Sequence, residues 1–215
     1  MKITDRYLAH GWFRMYDTMF TTDVIELDEQ VLQVHWLRYR VSTMRLGKGQ
    51  KEIVTRNRKF SLRYKPLVLN DETEALFAMY KVMKPFVGYT SLFQAFGSGG
   101  LVFDTMVAEV RDENEVLIAT GIFDTGKDSI AGIMNIYHPG YAKYSLGKFL
   151  IMAKINYCAV NRIPLYYPGY ITQSPSRFDY KLFPDKQSTE VFVSDTGEWV
   201  PYCIWELFNN NGIKP

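Results

Sequence analysis

Tyr144-Ser145-Leu146-Gly147-Lys148 opens a long apolar stretch, Leu165-Tyr166-Tyr167-Pro168-Gly169-Tyr170 follows it, and Arg177-Phe178-Asp179-Tyr180-Lys181 comes next. A helix N-terminus beside a strand end that carries tyrosines and leads to cations suits an anionic ligand. Ser145 reads as the N-cap, which leaves backbone N–H groups free at the start of the helix. Lys148 then falls in the first turn, where a cation is disfavoured by roughly 0.3–1 kcal/mol, a cost that a bound phosphate reverses. Gly147 is the one glycine of this loop.

Tyr167, Gly169 and Tyr170 fall at the end of the strand, the place in an α/β arrangement where ligands sit. Core packing accounts for Tyr166 and Tyr167 equally well. Tyr170, next to Gly169, is suited to donate a hydrogen bond to a carbonyl or to stack on a base. Arg177, Asp179, Tyr180 and Lys181 bring two cations, a carboxylate and a phenol together, and mutual pairing is the alternative to ligand binding. His138, before Pro139-Gly140, is a candidate base by its chemistry.

These residues need a scaffold, and the composition is that of a globular chain. It has 215 residues, 47% hydrophobic and 22% charged, with 15 Tyr and 14 Phe. Much of the core is therefore expected to be aromatic, with hydroxyls that need partners when buried. Two cysteines, Cys158 and Cys203, are too few for a zinc knuckle or a disulfide framework. The N-terminus lacks the layout of a signal peptide, and no apolar run approaches a membrane span, so a soluble, cytoplasmic protein without membrane contact is expected.

The net charge is +2, yet between Arg38 and Lys65 ten basic residues face Glu52 alone. This segment is locally +9 and the remainder sums to −7. A solvated basic face is one reading, and a phosphate-bearing partner is the other.

The patterning predicts a short helix at Asp5–His10, a strand pair within Trp12–Leu27, a strand at Val31–Tyr39, a basic helix at Gln50–Asn57 and a strand at Phe60–Tyr64. This is an N-terminal basic lobe, residues 1–65, ahead of a larger domain, residues 66–215. The latter opens with a helix from Asp71, whose acidic first turn suits the macrodipole. Strands at Phe103–Val110, Glu115–Phe123 and Ser129–Tyr137 read as an antiparallel meander. Ser145–Val160 is the main helix, Leu165–Tyr167 a strand parallel to a neighbour, and Val191–Val193 another strand.

That order predicts an α+β class with a GNAT-like (acyl-CoA N-acyltransferase) layout, a mixed, mostly antiparallel sheet flanked by helices with a small N-terminal lobe. Gly121-Ile122-Phe123-Asp124, Tyr137-His138-Pro139, Ser145-Leu146-Gly147, Tyr167-Pro168-Gly169-Tyr170-Ile171, Tyr180-Lys181 and Trp199-Val200-Pro201 occur in an order that resembles the C-terminal domain of arginyl-tRNA-protein transferases and their bacterial leucyl-transferring relatives. Gly11-Trp12-Phe13-Arg14-Met15 and the segment from Gln50 to Arg56-Asn57 extend the resemblance toward the front of the chain. It departs from the family in one respect, because full-length members carry a cysteine cluster that Phe20 to Arg38 lacks. No metal or iron–sulfur cluster is expected there.

The resemblance implies transfer of arginine or leucine from an aminoacyl-tRNA to the α-amino group of an acceptor protein. An ester is already activated, so the reaction calls for no cofactor beyond the aminoacyl-tRNA, which is a co-substrate, and positioning supplies most of the rate. Tyr170, Asp179, Tyr180 and His138 are then the candidate catalytic groups. Ser145, Gly147, Lys148, Tyr167, Gly169, Arg177 and Lys181 bind the substrates, with a cation for an N-terminal Asp or Glu and Asp179 for the ammonium. Gln50, Arg56 and Asn57 contact tRNA. An acetyl-CoA-dependent GNAT N-acetyltransferase and a non-catalytic tRNA- or protein-binding relative are the alternatives, and the single-glycine loop fits CoA pyrophosphate poorly.

Overall fold

The structure is a computed structural model that describes residues 2–27, 29–84, 88–97, 103–173 and 176–210. After helix α1 (Ile3–Ala9), strands β1 (Phe13–Met15) and β2 (Thr18–Phe20) form a hairpin. Its turn holds Tyr16 at φ 56°, the left-handed backbone that tight hairpins require. Strands β3 (Val24–Leu27) and β4 (Gln30–Arg40) pair next, and helix α2 (Lys48–Asn57) leads into β5 (Ser61–Pro66).

Helix α3 (Asp71–Met83) starts at Asn70, whose side chain accepts the Thr73 N–H at 2.9 Å. A five-residue helix α4 (Leu92–Phe96) follows, too short to register as periodicity. The expected meander is β6 (Thr105–Arg111), β7 (Leu117–Thr125) and β8 (Ser129–Tyr137). Helix α5 (Leu146–Val160) crosses over to β9 (Leu165–Thr172), and β10 (Thr189–Val193), β11 (Glu198–Pro201) and α6 (Tyr202–Asn210) complete the fold.

Among the described residues one nine-stranded sheet runs β11-β10-β4-β9-β8-β7-β6-β5, with β3 on the free part of the β4 edge. Residues before and after position 66 share this sheet. β4 lies between β10 and β9, and β5 pairs with β6. The only parallel pair in that order is β8 with β9, as a helical crossover requires.

Strand β7 is buried along nearly its whole length because both faces are covered. On one face Leu76 and Phe77 of α3 meet Val107, Leu117 and Ile122. On the other, Phe149, Leu150 and Ile151 of α5 meet Ala108, Ala119, Phe123 and Tyr166. A buried pair, Arg14 and Asp124 at 2.9 Å, ties the β1–β2 hairpin to the sheet, and the Arg14 guanidinium lies over the Phe96 and Phe103 rings.

Candidate functional site

β8 and β9 are joined only through Ser129–Leu165, Ile130–Tyr166 and Ala131–Tyr167. Just beyond, each strand carries a bulge. Ile122 faces Met134 while Phe123 faces Gly132, so Ile133 is an extra residue in β8. Leu37 faces Gly169 while Tyr39 faces Tyr166, so Tyr167 and Pro168 together oppose Arg38, and Gly169 takes φ 98°. A bulge bends its strand and sharpens its twist. No β8–β9 pair follows Ala131–Tyr167, and the gap this leaves between the two strands is the candidate cleft.

The bulge in β9 also sorts its tyrosines. Tyr166 is buried against α5, with its ring 5.2 Å from that of Tyr39. Tyr167 is buried on the opposite face against Phe13 and Trp199. Core packing is thus the role of Tyr167, and its predicted place among the binding residues is corrected. Tyr170 is half-buried, 5.2 Å from Trp36 and 5.0 Å from Phe178 by ring centroids.

A 3-10 turn at Asp179–Leu182 lies against β9 at the cleft. Lys181 is only 8% exposed. Its Nζ donates to the Tyr170 carbonyl at 2.7 Å and lies 4.9, 4.7 and 5.8 Å from the ring centroids of Tyr170, Phe178 and Tyr180. The Tyr39 hydroxyl donates to the Lys181 carbonyl. Burial pushes the Lys181 amine down to about 7, with Asp179 acting in the opposite sense. Lys181 therefore forms part of the cleft wall and does not project as an open cation.

Asp179 Oδ2 accepts the Ser176 N–H at 3.1 Å, and Arg177, the exposed cation of this loop, lies 5.5 Å from the Phe178 ring centroid. Tyr180 is half-buried, and desolvation raises its hydroxyl to about 12, against an interaction with Asn135 that lowers it.

At the far end of β8, Tyr137 and Tyr80 stand 5.2 Å apart. A Cβ added to Gly147 would lie 3.4 Å from the Tyr137 ring, which puts the start of α5 beside this end of the strand. Ser145 holds the N-cap position at φ 54°, ψ 44°, and its side chain makes no bond into the helix. The expected Ser145 side-chain cap is absent, because an N-cap reaches back from extended backbone and this one is left-handed.

Lys148 Nζ lies 4.5 Å from the Phe183 ring centroid, and Gln50 donates to the Phe183 carbonyl. Contacts therefore run from Tyr170 through Lys181 and Phe183 to α2. Of the expected tRNA contacts, Arg56 is exposed, with Nη1 3.3 Å from the Lys143 carbonyl. Asn57 is fully buried and holds the Ile53 and Tyr144 carbonyls at 2.8 and 2.9 Å, so it braces the turn before α5 and cannot meet a nucleic acid. His138 spends Nδ1 on the Gly140 N–H at 3.0 Å. That bond closes a turn and occupies the nitrogen that a base would need.

The basic segment is less open than its composition implies. Arg38 and Arg40 meet Glu190, Lys48 meets Glu52, Lys59 meets Glu113, Arg63 meets Glu115 and Lys65 meets Glu109. Among the described residues Arg45, Lys51, Arg56 and Arg58 make no ion pair. Lys51 and Arg56 border an open depression of about 620 Å³ on α2.

Asn135 and Lys154 also belong to this region and were not among the residues singled out by sequence. A lysine interrupting the apolar stripe of α5 and an asparagine in an apolar strand were the available signals.

Two solved structures share the fold at low identity. The crystal structure of FemX aligns at a TM-score of 0.52 and 8% identity, over 96% of this chain and 70% of that one. The C-terminal domain of a putative lysylphosphatidylglycerol synthetase from Agrobacterium fabrum aligns at 0.51 and 11%, over 66% and 49%. Among curated proteins, the aspartate/glutamate leucyltransferase of Ruegeria sp. (strain TM1040) is 24% identical over 80% of this chain and 63% of its own length. The aspartate/glutamate leucyltransferase of Campylobacter jejuni (strain RM1221) is 21% identical over 95% and 86%. The chain spans less than two thirds of the Ruegeria relative, and 56% of the leucyltransferase of Granulibacter bethesdensis. The family model described as arginine-tRNA-protein transferase, C terminus, matches residues 55–187, well over half of the chain and all of the β8–α5–β9 cleft, and the chain belongs to that family.

Proposed function

We propose that this chain is an aminoacyltransferase that moves leucine from the 3′ end of a tRNA to the α-amino group of a protein whose N-terminal residue is Asp or Glu. The observation that carries the reading is the cleft between β8 and β9. It has Tyr170, Tyr180 and Lys181 on one side, an N-terminus of α5 without a side-chain cap at its end, and the unpaired cations of α2 nearby. The relatives, which are aspartate/glutamate leucyltransferases, support leucine and acidic acceptors.

The tRNA 3′ end lies along the start of α5, where backbone N–H groups and Lys148 meet its phosphate. Arg177 faces the acidic side chain of the acceptor, and Asp179 holds its ammonium until deprotonation. An α-amino group has a pKa of about 7.7–8.0, so part of it is already neutral near pH 7. The amine nitrogen attacks the ester carbonyl carbon, and the carbonyl electron pair moves to oxygen. Collapse of this intermediate expels the ribose oxygen, which takes up the proton lost by nitrogen. No metal, nucleotide or covalent enzyme intermediate is required.

Incubation with radiolabelled leucyl-tRNA or arginyl-tRNA and peptides beginning with Asp, Glu, Arg or Lys tests the reading. Label is expected on the Asp and Glu peptides from leucyl-tRNA. Transfer from arginyl-tRNA alone replaces the donor amino acid. No transfer to any peptide, together with saturable acetyl-CoA binding, overturns the proposal.

A further inference from the structure

Strand β8 has a free backbone edge along the cleft, and hydrogen bonds at its two ends fix which residues form it. Just past its far end the His138 N–H donates to the Ile118 carbonyl of β7 at 2.8 Å. Backbone groups alternate sides along a paired strand, so Ile136 and Met134 also turn theirs to β7, and Asn135 and Tyr137 turn N–H and C=O toward β9. Ahead of the bulge the phase is opposite. The Asp128 carbonyl takes the Leu165 N–H of β9 at 3.3 Å, and the extra residue Ile133 makes the switch. No β8–β9 pair involves Asn135 or Tyr137, and among the described residues no hydrogen bond reaches their N–H or C=O from that side. Both residues are partly exposed.

The facing edge of β9 is closed by contrast. The Gln173 N–H donates to the Gln33 carbonyl of β4 at 3.0 Å, so by the same alternation Tyr170 is turned to the gap. Its carbonyl already accepts Lys181 Nζ at 2.7 Å, and Pro168 has no N–H to give. Open edges of natural sheets are guarded by charge or proline. Residues 132–137 of β8, Gly-Ile-Met-Asn-Ile-Tyr, carry neither. This edge lies inside a sheet, between strands joined at Ala131–Tyr167, where one extended chain can enter and a second sheet cannot.

Resting on the aminoacyl transfer proposed above, we infer that the acceptor protein's N-terminal segment binds as an added strand on the β8 edge, through the backbone groups of Asn135 and Tyr137. A row of N–H and C=O groups at strand spacing matches a peptide backbone, and a nucleotide has no such row. The gap is closed at Ala131–Tyr167, so the body of the acceptor leaves by the Tyr137 end and its N-terminus points inward. The peptide therefore runs parallel to β8. In a parallel ladder one peptide residue then donates its N–H to the Asn135 carbonyl and accepts the Tyr137 N–H, while its two neighbours turn their backbone groups away. Main-chain bonding of this kind holds the α-amino group in place whatever side chains follow the first residue.

The test uses the full chain, leucyl-tRNA and a short peptide beginning with Asp, N-methylated in turn at its second, third or fourth residue. Methylation removes one donor and puts a methyl group into the ladder. Losses are expected to alternate, with KM for the peptide raised about 10-fold either at the third residue alone or at the second and fourth, and KM for leucyl-tRNA unchanged. No loss at any position, equal losses at neighbouring positions, or a loss at the second residue alone overturns strand addition while leaving the transferase reading intact. An unmethylated peptide that receives no leucine overturns both.

Discussion

Lys181 Nζ stands 2.7 Å from the carbonyl oxygen of Tyr170, so the 3-10 turn at Asp179–Leu182 is bonded to β9, the strand that borders the cleft. The amine is enclosed by the Tyr170, Phe178 and Tyr180 rings and holds the wall in shape by a hydrogen bond and cation–π contacts. Lys181→Met keeps most of the apolar contact and loses the bond. The expected result is a fall of about 10- to 100-fold in kcat/KM for the acceptor peptide, with leucyl-tRNA affinity little changed, measured by varying each substrate in turn. Equal losses for both substrates would show that Lys181 supports the fold of the whole cleft and not the acceptor side.

The ion pairs of the basic segment divide its cations into two sets. Replacing Lys51 and Arg56 together with Ser should reduce the slope of log K against log salt for tRNA binding by about 1.4–1.8, at 0.7–0.9 per lost phosphate contact. Replacing Arg63 and Lys65, which meet Glu115 and Glu109, should leave the slope unchanged. Filter binding over a salt series reads both.

Lys154 makes stability depend on pH in the alkaline range. Its folded pKa of about 7 is below its usual 10.5, so between these values the unfolded chain binds more protons and stability rises with pH. Lys154→Met should therefore be more stable than the wild type by a few kcal/mol at pH 7 and below, with the gain fading as pH approaches 10.5. Urea unfolding from pH 6 upward over roughly four units measures the trend.

His35 acts on the acid side. Its Nε2 is buried without a partner, its ring lies 4.6 Å from Trp205, and burial pushes its pKa down to about 4, with Asp23 acting in the opposite sense. The unfolded chain binds the extra proton from the ordinary value of 6.5 downward, so this contribution is lost as pH falls from 6.5 to about 4. His35→Phe should flatten the acid limb of the stability profile across that window. An unchanged limb would assign acid unfolding to the carboxylates.

Much of the scaffold was legible in one dimension because its signals are local. The acidic first turn of α3, the apolar circumference of α5 and the turns after β6 and β7 each depend on neighbours a few residues away, and the structure has those elements within a few positions. The β8–α5–β9 crossover and the family motifs along it lie in the same continuous stretch. Helix α4, with five residues, left no such signal.

The site divides along the same physical line. Residue types alone placed Ser145, Tyr170, Tyr180 and Lys181 on one stretch of chain and marked the segment around α2 as basic. Which way each side chain turns depends on strand register and on partners far away in sequence. The bulge at Tyr167–Pro168 sends Tyr167 into the core and leaves Tyr170 half-buried beside Phe178, and acids between positions 109 and 190 neutralise most of the cations outside α2. Lys154 and Asn135 meet only because a helix crosses a strand over a glycine. The sequence by itself determined the family, the order of the elements and the chemistry available along the crossover. Tertiary structure alone decided which of those groups open onto the cleft, because exposure, pairing and pKa follow from contacts that local spacing does not encode.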